Sequence, residues 1–399
     1  MKDAPSIIRV LRKMQLGIDE TNISSGGGLT HLSQVLKACE PSSSGFSRVI
    51  IWASQQTLDK LPNKSWLFKK SEWWMNSGLL IRFIGQQLRM QTLIKAEGCD
   101  ILFSPGGTIS TIPHIPVVTM SQNMLPFESK EAILFGNLSL MWCKLNLLRI
   151  FQSQAFKRAD GVIFLTQYAK DKINLILGGI KNLSTIIPHG IEGRFFCPPR
   201  LQMQANYYTN KNPFCYLYVS ILMPYKHQIE IAKAIYNLRK KGLPVKVRFA
   251  GASWGAYGRK FKSLIACLDP AAEFLIWDGD VSFNQLHNLY KESDAFIFGS
   301  SCENLPNIMI EAMASGLPIA SSLNGPMPEV LGEAGIYFDP YIPSTIELAL
   351  FKLFSDFDLR SRLSSLAYEK SLNYSWENCA KKTLEFIAIV NKRYEGLNV

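Results

Sequence analysis

The chain has 399 residues, 47% hydrophobic and 19% charged, with a net charge of +11. This composition excludes a disordered polymer, and the length exceeds what one core comfortably holds, so two domains are expected. No run reaches the roughly 18 apolar residues of a membrane span, and charges break up the opening MKDAPSIIRVLRKMQLGIDE before a signal-peptide core forms.

The eight cysteines are scattered without a C-x-x-C pair and the five histidines lie far apart. Reduced thiols in a cytoplasmic protein and no zinc cluster are therefore expected. Residues 1–195 carry 22 Lys and Arg against 13 Asp and Glu, and the remainder 21 against 19. The basic excess of the first half is either a solvated surface or an attraction to an anionic membrane or substrate.

In chain order, a first strand region leads to Gly26, Gly27 and Gly28 and then to a helical pattern, HLSQVLKACE (31–40). Glycines there allow either a plain flexible turn or close approach of backbone to a phosphate. Strand patterns follow at 48–54, 101–107, 116–122, 161–166 and 184–190, then at 214–220, 245–251, 274–280, 295–300 and 318–322. Helical patterns are interleaved, as at 229–242 and 284–294, which predicts parallel sheets covered by helices on both faces. The alternation stops once, at the polar, proline-containing stretch 197–213, which predicts a linker between two α/β domains. An amphipathic helix is expected after Ser375.

Two stretches combine apolar and basic residues. SWLFKKSEWWMNSGLLIRFIGQQLR (65–89) holds Trp66, Trp73 and Trp74 beside Lys69, Lys70, Arg82 and Arg89, and 132–150 is similar. Each suits either an interfacial membrane contact or core packing. His31, His114 and His287 read as structural or surface residues.

The segment SSCENLPNIMIEAMASGLPIASS (300–322) places Glu303 and Glu311 with seven residues between them, around a helix start at Pro306. Beyond a strand end, free helix amides carry about half a positive charge and suit a diphosphate. Glu303 in the loop could reach a sugar, and Glu311, two turns on, paired ribose hydroxyls. A capping box, with Asn304 or Glu303 as cap, plus a surface glutamate is the plainer alternative.

Residues 303–318 resemble the E-x7-E signature of retaining glycosyltransferases of family 4, which have the GT-B fold. GPMPEVLGEAGIYFDP (325–340), SWENCAKKTLEFI (375–387), IIPHGIEGRFFCP (186–198) and SGGGLTHL (25–32) are similar to further segments of that family, in the right order. The resemblance implies two Rossmann-like domains facing each other across a cleft. Residues 1–195 would bind the acceptor and 196–375 the nucleotide sugar, with 376–399 a helix packing back toward the first domain. It implies that Glu303 contacts the transferred sugar with the amides of Asn304, Leu305 and Asn307 around it, and that Glu311 holds the ribose. Lys226 would neutralise the diphosphate, and Gly27, Gly28, His189 and Gly190 would line the donor site. Two positions depart from the family pattern: Ile221 stands where an arginine is common, and Ser121 or Gln122 where a histidine is common.

The segment SQNMLPFE (121–128) resembles a variant found in bacterial enzymes that build surface polysaccharide, which implies acceptor-side roles for Asn123 and Glu128. The implied partners are a nucleotide diphosphate sugar and a lipid-linked saccharide at the cytoplasmic face of the inner membrane, with no nucleic acid, no metal and no other cofactor. The Asp278-Gly279-Asp280 pair reads as a turn. An epimerase or phosphorylase on the same frame, or a non-catalytic nucleotide-sugar-binding scaffold, would share the cleft. A dinucleotide oxidoreductase fits poorly, because SGGGLTHL lacks the G-x-G-x-x-G spacing.

Overall fold

The computed structural model describes residues 13–22, 26–109 and 114–397; the opening segment 1–12 and Ser25 of the glycine loop lie outside the described residues. The first sheet contains β1 (Met14–Asp19), β2 (Phe46–Trp52), β3 (Leu67–Lys70), β4 (Ile101–Ser104), β5 (Val117–Met120), β6 (Gly161–Phe164) and β7 (Leu183–Ile186). Its strands run parallel in the order β3-β2-β1-β4-β5-β6-β7. The interleaved helices are α1 (Gly27–Ala38), α2 (Gln55–Leu58), α3 (Leu79–Glu97), α4 (Ser129–Ile133), α5 (Leu140–Arg158) and α6 (Gln167–Leu177).

The second sheet is also parallel. It contains β8 (Phe214–Val219), β9 (Val245–Ala250), β10 (Leu275–Gly279), β11 (Ala295–Phe298), β12 (Ile319–Ser322) and β13 (Gly335–Phe338), in the order β10-β9-β8-β11-β12-β13. Around it lie α7 (Gln228–Lys240), α8 (Gly255–Leu268), α9 (Phe283–Glu292), α10 (Asn307–Ala314), α11 (Met327–Leu331), α12 (Pro343–Ser355) and α13 (Phe357–Ser371). The final helix is α14 (Trp376–Leu397). Central strands such as FCYLYV and AFIF are buried along their whole length, as a sheet covered on both faces requires.

In each sheet the chain reverses its direction of winding beside the first strand, between β1 and β4 and between β8 and β11. Crevices beyond the carboxyl ends of such strands are where open α/β sheets bind ligands. The chain crosses between the domains twice. The first crossing follows β7, and the second precedes α14, whose Leu384 and Ile387 pack on Leu16, Ile18 and Leu32 of the first domain. The crossings touch: Ile191 N donates to Tyr374 O at 3.2 Å. A Cβ on Gly190 would sit 2.1 Å from the Trp376 nitrogen, so only glycine fits there.

The aromatic–basic stretch 65–89 does not form one surface. It is divided among the edge strand β3, a 3-10 turn and α3. Trp74 is 1% exposed, packed with Ile50, Trp52 and Met90, and its ring occupies the space that Gly85 leaves open on α3. Trp66 is half-buried against the main core. Trp74 is not available to a membrane, which corrects the expectation for that residue. Lys69 is turned to Leu61 O and Asn63 Oδ1, both at 2.8 Å, and Lys70 pairs with Glu97 at 3.1 Å. Arg82 reaches Thr21 O at 3.4 Å, whereas Trp73 and Arg89 face outward.

Candidate active site

A cavity of about 290 Å³ opens between the two domains. Gly27 and Thr30 of α1, Gly190 to Glu192 of the first crossing, and Trp376 of α14 form one wall; Lys226, Glu303, Leu305 to Ile308 and Glu311 form the other.

Lys226 reaches this position through the turn that follows β8. Pro224–Lys226 form a single 3-10 turn, His227 takes a left-handed φ of 54°, and Tyr218 Oη donates to Lys226 O at 2.6 Å. The side chain is buried, with its ammonium 5.1 Å and 5.6 Å from the ring centroids of Tyr225 and Phe298, and it is ion-paired with Glu303. Burial works against its charge, but the Glu303 carboxylate outweighs that and raises its pKa. A desolvated ion pair is costly to assemble, and one lining a cleft suggests a functional site.

Glu311 lies further along the same wall. Burial pushes its carboxyl up to about 8, against the opposing hydrogen bond from Tyr290 Oη at 3.1 Å. Tyr290, on α9, thereby fixes the Glu311 side chain.

The loop between Glu303 and α10 has no side-chain cap. Pro306 itself occupies the capping position, so the capping box does not form. The Asn307 amide is engaged by Leu305 O at 2.9 Å, and its side-chain Oδ1 meets His189 Nδ1 at 3.1 Å. Asn304 is turned toward the first domain: its Nδ2 donates to Ser121 O and Oγ at 2.9 and 3.1 Å, and its carbonyl accepts from Thr166 Oγ1 at 3.0 Å. Ser121, one of the two residues at the position where the resemblance leads one to expect a histidine, is thus paired with the loop that carries Glu303.

His189 is buried, with its ring 4.4 Å from that of His31 and 5.6 Å from Trp376. Burial lowers the pKa of His189 to about 4 and that of His31 well below the ordinary value. This stack of neutral rings joins α1, the first crossing and α14. Gly27 lines the cavity, while Gly28 lies one residue further into α1. Ile221 offers its carbonyl to Gln228 Nε2 at 3.0 Å and adds no charge.

In the segment 121–128, Asn123 is exposed and its Oδ1 accepts from Leu125 N at 3.0 Å. Glu128 is held by Tyr168 Oη and by Lys172 at 3.1 Å, which ties it to α6. Asp278 forms a two-pronged pair with Arg248 at 3.0 and 3.1 Å; it and Gly279, whose φ is 74°, end β10, so the expected turn begins only after them. Among the described residues no three His, Cys, Asp or Glu side chains gather in a metal-like group.

Residues 200–370 match the family described as glycosyl transferases group 1. Along nearly its whole length the chain superposes on sucrose-phosphate synthase of Thermosynechococcus elongatus, with a TM-score of 0.73 and 14% identity, covering 96% of this chain and 99% of that one. The fold is GT-B. The Anabaena protein HepE, solved in complex with UDP, shares this GT-B frame with a TM-score of 0.66 and 17% identity over 93% of this chain and 98% of its own. In sequence, the chain is 28% identical to D-inositol 3-phosphate glycosyltransferase of Corynebacterium urealyticum over 40% of its length and 38% of that protein's. It is 29% identical to O-antigen chain mannosyltransferase B of Escherichia coli over 27% of its length and 28% of that protein's. The aligned region therefore spans well under half of either relative.

Proposed function

We propose that the protein is a hexosyltransferase that moves a sugar, with retention of configuration, from a nucleotide diphosphate sugar to a lipid-linked saccharide acceptor in surface-polysaccharide synthesis. The observation that carries this reading is one interdomain cavity onto which Lys226, Glu303 and Glu311 all open. The match of residues 200–370 to glycosyl transferases group 1, the UDP complex of HepE and the O-antigen relative support it.

In this reading Lys226 exchanges Glu303 for the donor diphosphate, and the released Glu303 carboxylate turns to the sugar hydroxyls. Glu311 accepts from the ribose hydroxyls. The bond from the sugar C1 to the diphosphate oxygen breaks as the acceptor oxygen bonds C1 on the same face, and the acceptor proton passes to the departing diphosphate. Lys226, already desolvated, stabilises the charge that develops there; groups fixed in advance of the reaction act most strongly in such a dry site. That charge is met by the lysine and by the amides of Asn304 and Leu305, without a divalent ion. Gly27 and Gly28 admit the donor closely, Gly190 and His189 shape the wall, and Asn123 and Glu128 border the acceptor path.

The same proposal places the enzyme peripherally on the cytoplasmic face of the inner membrane. Trp73 is 65% exposed, and Leu80, Ile84 and Leu88 form an outward row at helical spacing on α3 beside Arg89. Leu140, Leu147 and Ile150 are exposed on α5, which adjoins α3 through the Phe83–Phe151 ring contact at 5.2 Å. Apolar rows with basic neighbours suit an anionic bilayer surface.

The test is incubation of the purified chain with a panel of nucleotide sugars and a synthetic polyprenyl-diphosphate saccharide, with the linkage read by NMR. Acceptor-dependent release of one nucleoside diphosphate, with the donor's anomeric configuration kept in the product, is expected. Acceptor-independent conversion of the donor would point to an epimerase, and no turnover with any donor to a binding scaffold.

A further inference from the structure

The loop that carries Glu303 rests on a carboxylate supplied by the opposite domain. Glu131, on α4 of the first domain, is buried, and both of its oxygens accept hydrogen bonds from the second domain. Ser301 Oγ donates to Oε2 at 2.6 Å and Tyr341 Oη donates to Oε1 at 2.6 Å. A serine hydroxyl has one proton. With that proton given to Glu131, the His227 Nε2 lying 3.0 Å from Ser301 Oγ must carry the hydrogen of that contact. The His227 imidazole also stands edge-on to the Tyr341 ring, with centroids 4.7 Å apart. The network therefore closes on itself: Glu131, Ser301, His227 and Tyr341.

This ring of contacts adjoins the candidate catalytic groups on both sides. Ser301 lies two residues before Glu303, and its backbone N–H donates to Tyr225 O at 2.8 Å; Tyr225 precedes Lys226, and His227 follows it. A shift of Ser301 thus moves both members of the Lys226–Glu303 pair. Burial lowers the pKa of the His227 imidazole to about 4, so His227 brings no charge to the network and acts there through its contact with Ser301 Oγ.

We propose that Glu131 is a positioning residue for the donor loop, its carboxylate clamped between Ser301 and Tyr341 so that closing of the acceptor domain sets Glu303 and Lys226 in register. The inference rests on the transferase reading of the cavity. Glu131 itself does not line that cavity and touches no donor in this scheme.

The test uses the full chain with Glu131→Gln, Ser301→Ala, Tyr341→Phe and the Glu131→Gln/Tyr341→Phe double variant. Glutamine keeps the shape but presents an N–H2 group to one of two hydroxyl donors. A misplacement of about 1 Å can cost about 100-fold in rate. Glu131→Gln should therefore lower kcat by about 100-fold while the Kd for UDP, GDP, ADP or dTDP, whichever binds, stays within about 3-fold. Groups in one network are non-additive, so the double variant should be no slower than Glu131→Gln alone.

A kcat within 2-fold of the unmodified protein, or a loss of diphosphate affinity equal to the loss in kcat, overturns the proposal. Ser301→Ala and Tyr341→Phe each remove one donor and keep the test open should Glu131→Gln not fold. If no diphosphate binds the unmodified protein, the transferase reading fails on its own. Small-angle scattering then decides the clamp: a more extended Glu131→Gln supports it, and an unchanged profile overturns it.

Discussion

Beyond β8 and β11 the second domain presents the Lys226–Glu303 ion pair to the cleft, beside Glu311, whose carboxyl is held by Tyr290 and pushed up to about 8 by burial. Beyond β1 and β4 the first domain presents polar groups already paired with one another. Asp19 accepts from Thr21 Oγ1 at 2.7 Å and from Gln86 Nε2 at 2.6 Å, and Asn22 donates to Gln86 and Thr108 at 2.9 and 3.0 Å. Burial raises the pKa of both Asp19 and Glu20. Two sheets of the same plan thus carry unlike groups beyond their strand ends: an ion pair that opens onto the cavity in the second domain, and polar side chains paired among themselves in the first.

The largest effects should come from breaking the charged wall. Glu303→Ala and Lys226→Ala should each lower turnover by about 100- to 1,000-fold, the range for losing a group that stabilises transition-state charge. Asn123→Ala should change it by less than about 5-fold, because that side chain is exposed and serves its own turn. Single-turnover rates on the three variants provide the check.

Gly190→Ala tests the hinge between the walls. Its new methyl would meet the Trp376 nitrogen at 2.1 Å, and a destabilisation of about 3 kcal/mol is expected, at the upper end for overpacking. Thermal unfolding measures it.

A pH series sharpens the contrast further. Glu311 has its pKa raised to about 8 in the folded chain from an ordinary value of 4.5. The folded state therefore holds the proton that the unfolded state has released. Stability contributed by this group is fully present below pH 4.5 and falls as pH rises through about 8, levelling off above that. Glu311→Gln should remove this slope from the dependence of Tm on pH. Ribose hydroxyls favour the ionised carboxylate, so diphosphate affinity should rise from pH 6.5 to 8.5 in the unmodified protein and stay flat in Glu311→Gln.

The smallest effect concerns the outer face of the first domain. Trp73→Ala should weaken sedimentation with vesicles of anionic lipid several-fold. Trp74→Phe should leave binding unchanged, since Trp74 lies inside the core.

Much of the fold was legible because its signals are local. All ten strand patterns read from the sequence correspond to strands, and their apolar runs follow from burial on both faces. β1, MQLGID, was expected only as a strand region before the glycines, without bounds; two strands escaped, the short edge strand β3 with its two lysines and the four-residue β13, GIYF. The E-x7-E spacing led to Glu303 and Glu311, and the family resemblance to Lys226. The supporting groups were not legible, because they depend on contacts distant in sequence. Tyr290 meets Glu311 across 21 residues, Glu131 meets Tyr341 across 210, and Trp376 closes over His189 from the far end of the chain. Trp73 and Trp74 are adjacent in sequence yet face opposite ways, which composition alone could not separate.

The most direct measurement is calorimetric titration of the purified protein with UDP, GDP, ADP and dTDP, repeated on Glu311→Ala and Lys226→Ala. The expected result is tight binding of one diphosphate by the unmodified protein and its loss in both variants, with their thermal unfolding still cooperative. Failure of all four to bind the unmodified protein, or binding that survives both substitutions, would contradict a donor site built on Lys226, Glu303 and Glu311.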